Sequence, residues 1–579
     1  MKRYILLSLT GLLILISACT KDFDKINTNP NALAYIDPEY LMTNTLRRGS
    51  LDDNSYFYTI GIGNFYSQYY TSVKDEFNWN LDAYYQNDNW YGTMWKYWYA
   101  EEYTGFLSIA DEALKLARID GYPNKIAPPI IWKSFLFQRL TDCFGDISFS
   151  EAFNDNINFP RYDDQKDVYF RIISQLDSAV RMMTESSKVK YGSGDLLYQG
   201  NITKWQRFGN SLRLRMAMRM VKVEPQKARQ EFEAALAADA GPMASNADNA
   251  RIYPDPQGPA GIHSQNPLKI FASAFDWVRV SKSFVYKMKT LDDPRMWNYV
   301  DPTLNFVTKT LRNRYLVLDV ASLTAQQKEY VQYVIENTSS ISTSFEQGRY
   351  FIDDALRFLS DVIGVPASEI DTLKAKRYIG AASGYTLDKL NTIQGTLSSM
   401  SDYGQYLQGA TQPCFLMVYP EICFLKAEAA LRGWNAGGSA ENLYNDGIRA
   451  ALELYEVPDN EIIQYLNGPA KYNPAASQEK QLEQIITQKY LANYLNGFES
   501  WAEWRRTGYP KLDPIQTDEG DTRSRTAVPR RFLYIQDEKI MNGDNVNSAR
   551  NNQIKYSLSG QYDMLTPVWW DQKYTLPNF

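Results

Sequence analysis

Apolar residues recur every three or four positions along much of the chain, the spacing that places side chains on one face of an α-helix. The clearest case is TKWQRFGNSLRLRMAMRMV, in which Trp205, Phe208, Leu212, Met216 and Met220 form one stripe. We expect most of the arginines around this predicted helix to be solvated or paired locally. They are Arg207, Arg213, Arg215 and Arg219.

The same periodicity predicts further helices at 101–118, 128–146, 167–183, 226–238, 420–432, 442–455 and 479–496. Many form consecutive pairs joined by turns that contain Gly or Pro. This is the arrangement of helical-hairpin repeats such as TPR, in which each unit buries its face on the next. The predicted fold class is therefore mainly α, with a TPR-like helical-hairpin scaffold.

The pattern changes between about residues 240 and 412, where loops lengthen and Pro and Gly recur. We expect an irregular, loop-rich lobe laid over the helical scaffold. Long loops held on a rigid scaffold are where binding residues usually lie. This variable segment is therefore the predicted ligand lobe within a body that spans residues 36–579.

The first 18 residues have the pattern of a lipoprotein signal peptide. A basic start with Lys2 and Arg3 precedes a short apolar stretch that ends in Ile-Ser-Ala-Cys. This ending resembles a lipobox, so Cys19 is the expected lipidation site. The alternative is an ordinary secretory signal in which the cysteine falls there by chance. Residues 19–35 are short, polar and charged, and read as a tether from the membrane to the body.

The acidic residues that follow Cys19 resemble signals that send lipoproteins to the outer face of some Gram-negative outer membranes. No later stretch is long and apolar enough to span a bilayer. We therefore expect the lipid to be the chain's only membrane anchor, on the cell exterior.

Charge and composition narrow the classes of function. The net charge is −6 and the pI about 5.3, and the 61 Lys and Arg residues are scattered without a long basic run. This balance argues against nucleic acid and anionic surfaces as partners. Besides Cys19 there are three cysteines, so they cannot all be paired internally. A Cys414–Cys423 bridge and buried free thiols both remain open.

Catalytic and metal-site patterns are sparse. The single histidine, His263, lies in the loop PDPQGPAGIHSQNP, so no His-rich metal site can be built and any Ser-His-Asp triad would need this residue. No nucleotide-binding glycine loop is present. Loops rich in Asp and Asn could hold Ca²⁺, but no EF-hand spacing occurs. Of the common catalytic arrangements, the sequence does not exclude a pair of carboxylates, as in glycosidases, but no motif singles out one pair of acidic residues. We expect a protein that is not an enzyme and has no cofactor.

The stretch from Phe77 to Tyr103 contains a dense group of aromatic residues. From Tyr91 onward, Trp95 and Trp98 share one helical face and are expected to pack in the core. Upstream, FNWNLDAYYQNDN has no helical stripe and mixes aromatic rings with amides and carboxylates. Such a mixture suits a carbohydrate, whose apolar faces stack on rings while its hydroxyls bind polar groups. The predicted ligand-binding residues here are Trp79, Asn80, Tyr84, Tyr85 and Asn87. The alternative is a loop whose aromatic residues plug it onto the core.

A second candidate group lies in FASAFDWVRVSKSF, inside the predicted ligand lobe. Asp276, Trp277 and Arg279 combine an aromatic ring with two opposite charges. The alternative is a short amphipathic helix with Phe275 and Val278 buried. The sequence does not distinguish the two.

Six segments in order behind the lipobox resemble the SusD/RagB family of outer-membrane nutrient-binding lipoproteins. They are CFGDISFSEAF, LDDPRMWNY, VYPEICFLKAEAALRG, QKYLANYLNGFESWAEWRRTGYP, RRFLYIQDEKIMN and LTPVWWD. Their spacing is most similar to the branch called SusD-like 2. Four tryptophans in these segments are expected to be structural, namely Trp501, Trp504, Trp569 and Trp570.

The resemblance implies a SusD-like fold and a function without a catalytic step. Family members sit on the cell surface over a TonB-dependent barrel transporter of the SusC type, capture an oligosaccharide or in some cases a peptide, and close over the barrel. The expected function is thus a glycan-binding lipoprotein that feeds such a transporter. A peptide-binding protein on the same scaffold and, more remotely, a carboxylate-dependent glycosidase are the alternatives.

Overall fold

The computed structural model describes residues 36–50, 61–72, 84, 86, 92–99, 105–255, 266, 268, 277–300, 324–325, 368, 407, 409, 411–512, 527–572 and 578. The predicted signal peptide, the tether and the greater part of the predicted ligand lobe lie outside these residues. Among the described residues, no helix is long and apolar enough to cross a membrane.

Helices make up most of the described chain. They are α1 Pro38–Arg48, α2 Ile62–Tyr66, α3 Thr93–Tyr99, α4 Phe106–Asp120, α5 Pro123–Phe144, α6 Gln165–Met182, α7 Ile202–Arg219, α8 Pro225–Leu236, α9 Lys282–Thr290, α10 Met296–Tyr299, α11 Tyr419–Leu431, α12 Ala440–Glu453, α13 Asp459–Asn467, α14 Gln478–Ala492, α15 Gly497–Thr507, α16 Gln536–Met541 and α17 Gly543–Ile554. The strands are β1 Tyr70–Ser72, β2 Ala250–Ile252, β3 Val278–Val280 and β4 Cys414–Met417. The predicted mainly α fold is confirmed.

Consecutive helices pack on one another, as helical hairpins do. Helix α4 packs on α5, α5 on α6, α6 on α7, α7 on α8, and α11 on α12. Short strands tie distant parts of the chain to this scaffold, because β1 pairs with β3 and β2 with β4, both antiparallel. Each strand is only three or four residues long, so packing between helices supplies most of the framework.

Helix α5 begins earlier than the sequence pattern predicts. The prediction placed its start at Pro128, but the helix runs from Pro123 with Pro128 and Pro129 inside it. Proline at 129 cannot donate to the carbonyl of Lys125 four residues before it. The Tyr191 hydroxyl donates to that carbonyl instead, at 2.9 Å. A side chain from a later loop therefore satisfies the carbonyl that the proline leaves free.

Helix α7 is buried on all sides along its second half. Every residue from Gly209 to Arg219 is buried. The prediction that most of its arginines are solvated or paired locally was wrong, because helices surround α7 and leave no solvent face there. Arg215 and Arg219 instead pair with carboxylates more than 200 positions away in sequence, on α11 and α15.

The buried charges form one network between α7, α11, α14 and α15. Its cations are Arg215, Arg219, Lys489 and Arg506, and its carboxylates are Glu421, Glu428, Glu499 and Glu503. The network extends further, because Arg219 also approaches Asp142 and Glu428 also binds Arg432. Such a network is costly to desolvate and is tolerated only where partners and hydrogen bonds compensate. It joins two of the segments that carry the family resemblance, one around Glu421 and one around Arg506.

Large aromatic side chains fill the remaining core as expected. Trp95 is 4% and Trp98 1% exposed, which confirms that their helical stripe packs inward. Trp501 and Trp570 are fully buried, and the guanidinium of Arg505 lies 3.8 Å from the first ring and 4.8 Å from the second. The family-like segments are therefore joined by stacked rings as well as by ion pairs.

The three body cysteines are free and buried, so the free-thiol alternative holds and Cys414 is not bridged to Cys423. Burial raises the pKa of Cys414 to about 12 and, with smaller contributions from neighbours, that of Cys423 to about 11. A thiol with such a pKa is almost entirely protonated at neutral pH and is a poor nucleophile.

Candidate ligand-binding site

The β1–β3 ribbon pairs the strand that precedes the first predicted ligand segment with a strand inside the second. Tyr70 pairs with Val280, Thr71 with Arg279, and Ser72 with Val278. Because the strands are antiparallel, the end of β1 lies beside the start of β3. The chain leaves β1 toward Trp79 and reaches β3 through Trp277. Both aromatic segments therefore join the scaffold at the same end of one ribbon.

The ribbon is fastened to the start of α9. The backbone N–H of Ser281 donates to the Tyr69 carbonyl at 3.0 Å, and the Ser281 hydroxyl donates to the carbonyl of Gln68. The same hydroxyl accepts from the N–H of Phe284 at 3.1 Å and so caps the helix. Serine at 281 thus fixes the ribbon and α9 to each other.

An aromatic cluster packs around Tyr69, the residue that precedes strand β1. The Tyr69 ring lies 4.5 Å from that of Tyr490 and 5.2 Å from that of Phe284. The Tyr69 hydroxyl donates its single hydrogen to the Tyr490 carbonyl at 2.5 Å. In its contact of 2.7 Å with the Ser500 hydroxyl, Ser500 is therefore the donor and Tyr69 the acceptor. Burial raises the pKa of Tyr69 well above 10.0, which keeps the hydroxyl protonated for this role. The cluster gives the ribbon a rigid base.

Tyr84 lies in the core, which corrects its assignment to a ligand-facing surface. It is fully buried, its ring lies 5.1 Å from that of Tyr66, and its hydroxyl accepts from the Gln68 amide at 3.2 Å. A ring with no exposed face cannot stack on a sugar in this conformation. The mixture of polar and aromatic residues was the basis for predicting Tyr84 as a ligand residue. Such a pattern does not tell which of several neighbouring tyrosines turns inward.

Gln86 is a second fixed point that the sequence did not reveal. Its amide donates to the carbonyl of Arg531 at 3.0 Å, and its carbonyl accepts from the N–H of Leu533 at 2.9 Å. The side chain thus makes the two backbone bonds that a neighbouring strand would make. Tyr84 and Gln86 together pin the early aromatic segment to the scaffold.

Trp277 and Arg279 lie on the ribbon side of the second segment. Trp277 is buried, with 8% of the residue exposed. Arg279 is half-buried, and its guanidinium donates to the Val278 carbonyl at 2.7 Å. Residues 278–280 form a strand, which excludes the alternative of a helix there, although Val278 is buried as that alternative required. The other predicted ligand residues lie outside the described residues: Trp79, Asn80, Tyr85, Asn87 and Asp276.

A separate surface pocket of about 350 Å³ lies between α12, α14 and the turn after α9. Its lining includes the polar residues Asn473, Lys480 and Gln484 as well as apolar ones such as Leu291 and Pro469. Tyr444 is the aromatic residue among the described ones that line it, and it is 1% exposed. The pocket therefore offers polar contacts without a ring on which a sugar could stack.

Among the described residues, neither a metal cluster nor the buried carboxylate pair of Glu499 and Glu503 offers a reactive site. No group of three or more His, Cys, Asp or Glu among them could hold a metal ion. The neighbouring carboxylates of Glu499 and Glu503 are 3% and 4% exposed, and arginines and a lysine bind both. Carboxylates used in this way are not available to a substrate.

Comparison with known proteins identifies relatives of the whole chain. The model of the SusD-like 2 family, described as starch-binding associating with outer membrane, matches residues 30–313 and 318–535. A chitin-binding SusD homologue from Flavobacterium johnsoniae has a similar structure, with 26% identity and a TM-score of 0.70, over 94% of this chain and 99% of that one.

Two further solved structures support the fold. A SusD homologue from Bacteroides uniformis is 24% identical, with a TM-score of 0.69 over 93% of this chain and 99% of its own. One from Bacteroides thetaiotaomicron is 24% identical, with a TM-score of 0.68 over 93% of this chain and 100% of its own. No match was found among curated proteins.

Proposed function

Because the chain belongs to the SusD-like 2 family, as the match over residues 30–313 and 318–535 shows, we propose that it is a cell-surface lipoprotein that captures oligosaccharides. In this proposal Cys19 carries the lipid, and the bound glycan passes to a TonB-dependent outer-membrane transporter of the SusC type. The family description supports glycan binding and association with the outer membrane. The transporter and the lipid anchor remain parts of the proposal.

The observation that carries the glycan proposal is the β1–β3 ribbon. Two segments rich in aromatic rings and amides, about 200 residues apart, join the scaffold at one end of this ribbon. An apolar ring edged by amides and a guanidinium matches the chemistry of a sugar, which has apolar C–H faces and hydroxyl edges. The proposed binding residues are Trp79, Asn80, Tyr85, Asn87, Asp276, Trp277 and Arg279, without Tyr84. The 26% identical relative is called chitin-binding, which agrees with a saccharide ligand.

The test is calorimetric titration of the chain from Thr20 onward, which keeps every described residue. The ligands are chitin and starch oligosaccharides, other soluble glycans, and a mixed peptide pool. We expect heat with one glycan class, none with peptides, and recovery of the glycan intact after long incubation. Heat only with peptides would replace the glycan by a peptide ligand, and appearance of shorter glycans would revive the glycosidase alternative.

The transporter part of the proposal needs a separate test. The full chain, isolated from membranes in mild detergent, is expected to co-purify with a barrel transporter because a lid must dock on it over a broad surface. A variant with Ser at Cys19 should leave the membrane fraction yet still bind glycan. Isolation of the full chain without any barrel protein would count against delivery to a transporter.

A further inference from the structure

The β2–β4 ribbon has one face that packs on the core and one face that is open to solvent. Ala250 and Ile252 are at most 1% exposed, whereas Arg251 between them is half-buried and Tyr253, which follows β2, is 52% exposed. Side chains alternate between the two faces along an extended chain. Arg251 and Tyr253 therefore lie on the open face.

A β-bulge brings a second aromatic ring to the same face. Ala250 pairs with Met417 and Arg251 with Phe415, so the register skips Leu416. The bulge leaves Leu416 and Met417 both fully buried, while Phe415 is half-buried. Residues directly opposite each other in an antiparallel ladder have their side chains on one face. Phe415 is therefore the neighbour of Arg251 on the open face.

The guanidinium of Arg251 lies beside a ring rather than a carboxylate. It is 5.2 Å from the centre of the Tyr253 ring. With the other described residues, Arg251 forms neither an ion pair nor a side-chain hydrogen bond, so its N–H groups are open to a ligand. Asp255, two residues beyond Tyr253, is also exposed. The face therefore has no excess of positive charge, and a neutral ligand fits it better than an anion.

Arg251, Tyr253 and Phe415 together have the chemistry that binds a neutral sugar. The two rings offer an apolar surface to the C–H face of a sugar, and the guanidinium donates hydrogen bonds to hydroxyl groups. Trp277, on the β1–β3 ribbon, is buried, whereas about half of Tyr253 is accessible without any rearrangement. The open face of the β2–β4 ribbon is thus an accessible stacking surface.

Both ribbons adjoin the turn between α14 and α15. The side-chain amide of Asn496 in this turn donates to the Leu416 carbonyl of β4 at 3.4 Å. The next residue, Gly497, packs so closely on α2 that an added Cβ would lie 2.2 Å from the carbonyl carbon of Gly63. Helix α2 in turn leads into β1. The two ribbons are therefore neighbours on the scaffold.

We propose that the open face of the β2–β4 ribbon is a second saccharide subsite, which contacts the same oligosaccharide chain as the platform at the β1–β3 ribbon. Tyr253 stacks on a sugar unit, Phe415 adds an apolar contact, and Arg251 binds hydroxyl groups. The inference rests on the proposed function, because it needs a glycan ligand. It adds residues that lie outside the two segments in which binding was first predicted.

The first experiment is calorimetric titration of the chain from Thr20 onward with chitin and starch oligosaccharides. Tyr253→Ala should weaken binding about fivefold, which corresponds to about 1 kcal/mol for one stacking contact. Tyr253→Phe should bind like wild type, because it keeps the ring. Arg251→Met keeps the aliphatic stem but loses the N–H donors, and it should also weaken binding.

The matched control is Tyr40→Ala, which removes an exposed ring elsewhere. Tyr40 is 74% exposed on α1, which packs on α4, and its variant should bind like wild type. Near-UV circular dichroism and urea unfolding establish that every variant is folded, so that a loss of affinity is not a loss of structure.

A second experiment needs no substitution. Tetranitromethane nitrates accessible tyrosine side chains, and mass spectrometry of the digested protein measures the rate at each position. Saturating oligosaccharide should slow the nitration of Tyr253 severalfold and leave that of Tyr40 unchanged, because the sugar covers only the first of these rings.

The outcomes separate this inference from the proposed function. If wild type binds an oligosaccharide and Tyr253→Ala binds it equally well, or if the bound sugar does not slow nitration of Tyr253, the second subsite is wrong and the proposed function stands. If wild type binds no glycan at all, the proposed function fails and the second subsite fails with it.

Discussion

Arg215 and Glu421 form a two-point ion pair that is almost wholly buried. The Arg215 Nε lies 2.7 Å from one carboxylate oxygen of Glu421, and an Nη lies 2.8 Å from the other. The pair joins α7 to α11, which are separated by more than 180 residues. Because a planar guanidinium and a carboxylate fit in one orientation, the pair fixes the angle between the helices as well as their distance.

Removing one partner of this pair should strongly destabilise the protein. Glu421→Gln leaves the Arg215 charge buried without its main partner, so we expect the free energy of unfolding in urea to fall by about 3–5 kcal/mol. The double variant Arg215→Met/Glu421→Met should lose less unfolding free energy than the sum of the losses in the two single variants. The control is Glu483→Gln, which removes an exposed pair with Lys480 and should change stability by less than about 1 kcal/mol. Additive single and double losses would show that the pair is not coupled.

Acid should destabilise the protein through the same network. Burial by itself would raise the pKa of Glu503, but Arg506, Lys489 and Arg219 lower it well below 4.5. The unfolded chain therefore binds a proton before the folded chain does as pH falls. This contribution to stability is complete above about pH 5 and is lost progressively below pH 4.5.

Urea unfolding at pH 7, 5, 4 and 3 measures this effect. We expect little change between pH 7 and 5 from Glu503 and a steep loss below 4.5. Glu503→Gln should be less stable at pH 7 and should show a shallower loss between pH 5 and 3, because position 503 no longer titrates. An unchanged acid slope in this variant would assign the acid sensitivity to other carboxylates.

The proposed glycan platform predicts two sensitive tryptophans. Trp79→Ala and Trp277→Ala should each weaken glycan binding by at least about 1 kcal/mol, the scale of one aromatic stacking contact. The matched control is Trp434→Ala, whose half-buried ring packs on Phe232 away from the ribbon. Trp277 is 8% exposed, so its variant needs a stability measurement beside the titration. If both variants fold and bind like wild type, the site lies elsewhere.

Gly145 is required by both conformation and space. Its φ is +83°, and an added Cβ would meet the Gln553 amide and lie 2.6 Å from an Nη of Arg531. Gly121 has a similar φ of +78° but nothing within 4 Å of that position. Gly121→Ala should therefore cost about 1 kcal/mol from strain in the left-handed region. Gly145→Ala should cost at least about 2 kcal/mol more, because its ψ of −118° gives a backbone conformation that suits only glycine and because the added Cβ clashes. Equal losses in urea unfolding would mean that Gln553 and Arg531 move aside freely.

The sequence predicts elements better than it predicts their partners. The apolar stripe from Trp205 to Met220 correctly predicts helix α7, and the spacing of Trp95 and Trp98 correctly predicts that both are buried. Both features depend on residues within one or two helical turns of each other. The same pattern does not predict the burial of Arg215. A helical wheel shows which face of the helix is polar, but not whether another helix brings a carboxylate to that face.

The candidate site was predictable only in outline. Aromatic and amide composition marked both segments, but three-residue strands carry too little pattern to predict that Tyr70 pairs with Val280. The inward turn of Tyr84 and the backbone-like bonds of Gln86 depend on residues near 66 and 531, which are far away in sequence. Such choices are decided by packing, and no local pattern records them.

The β1–β3 ribbon also affects the order in which the chain folds. Its strands are separated by about 200 residues, and pairing at such a distance pays a loop-closure entropy that local helix contacts do not. The helical hairpins can therefore form before the ribbon closes, and the ligand segments meet only in a chain that is already nearly complete. In a partly folded chain, in which β1 and β3 have not yet paired, the two proposed ligand segments are not held together.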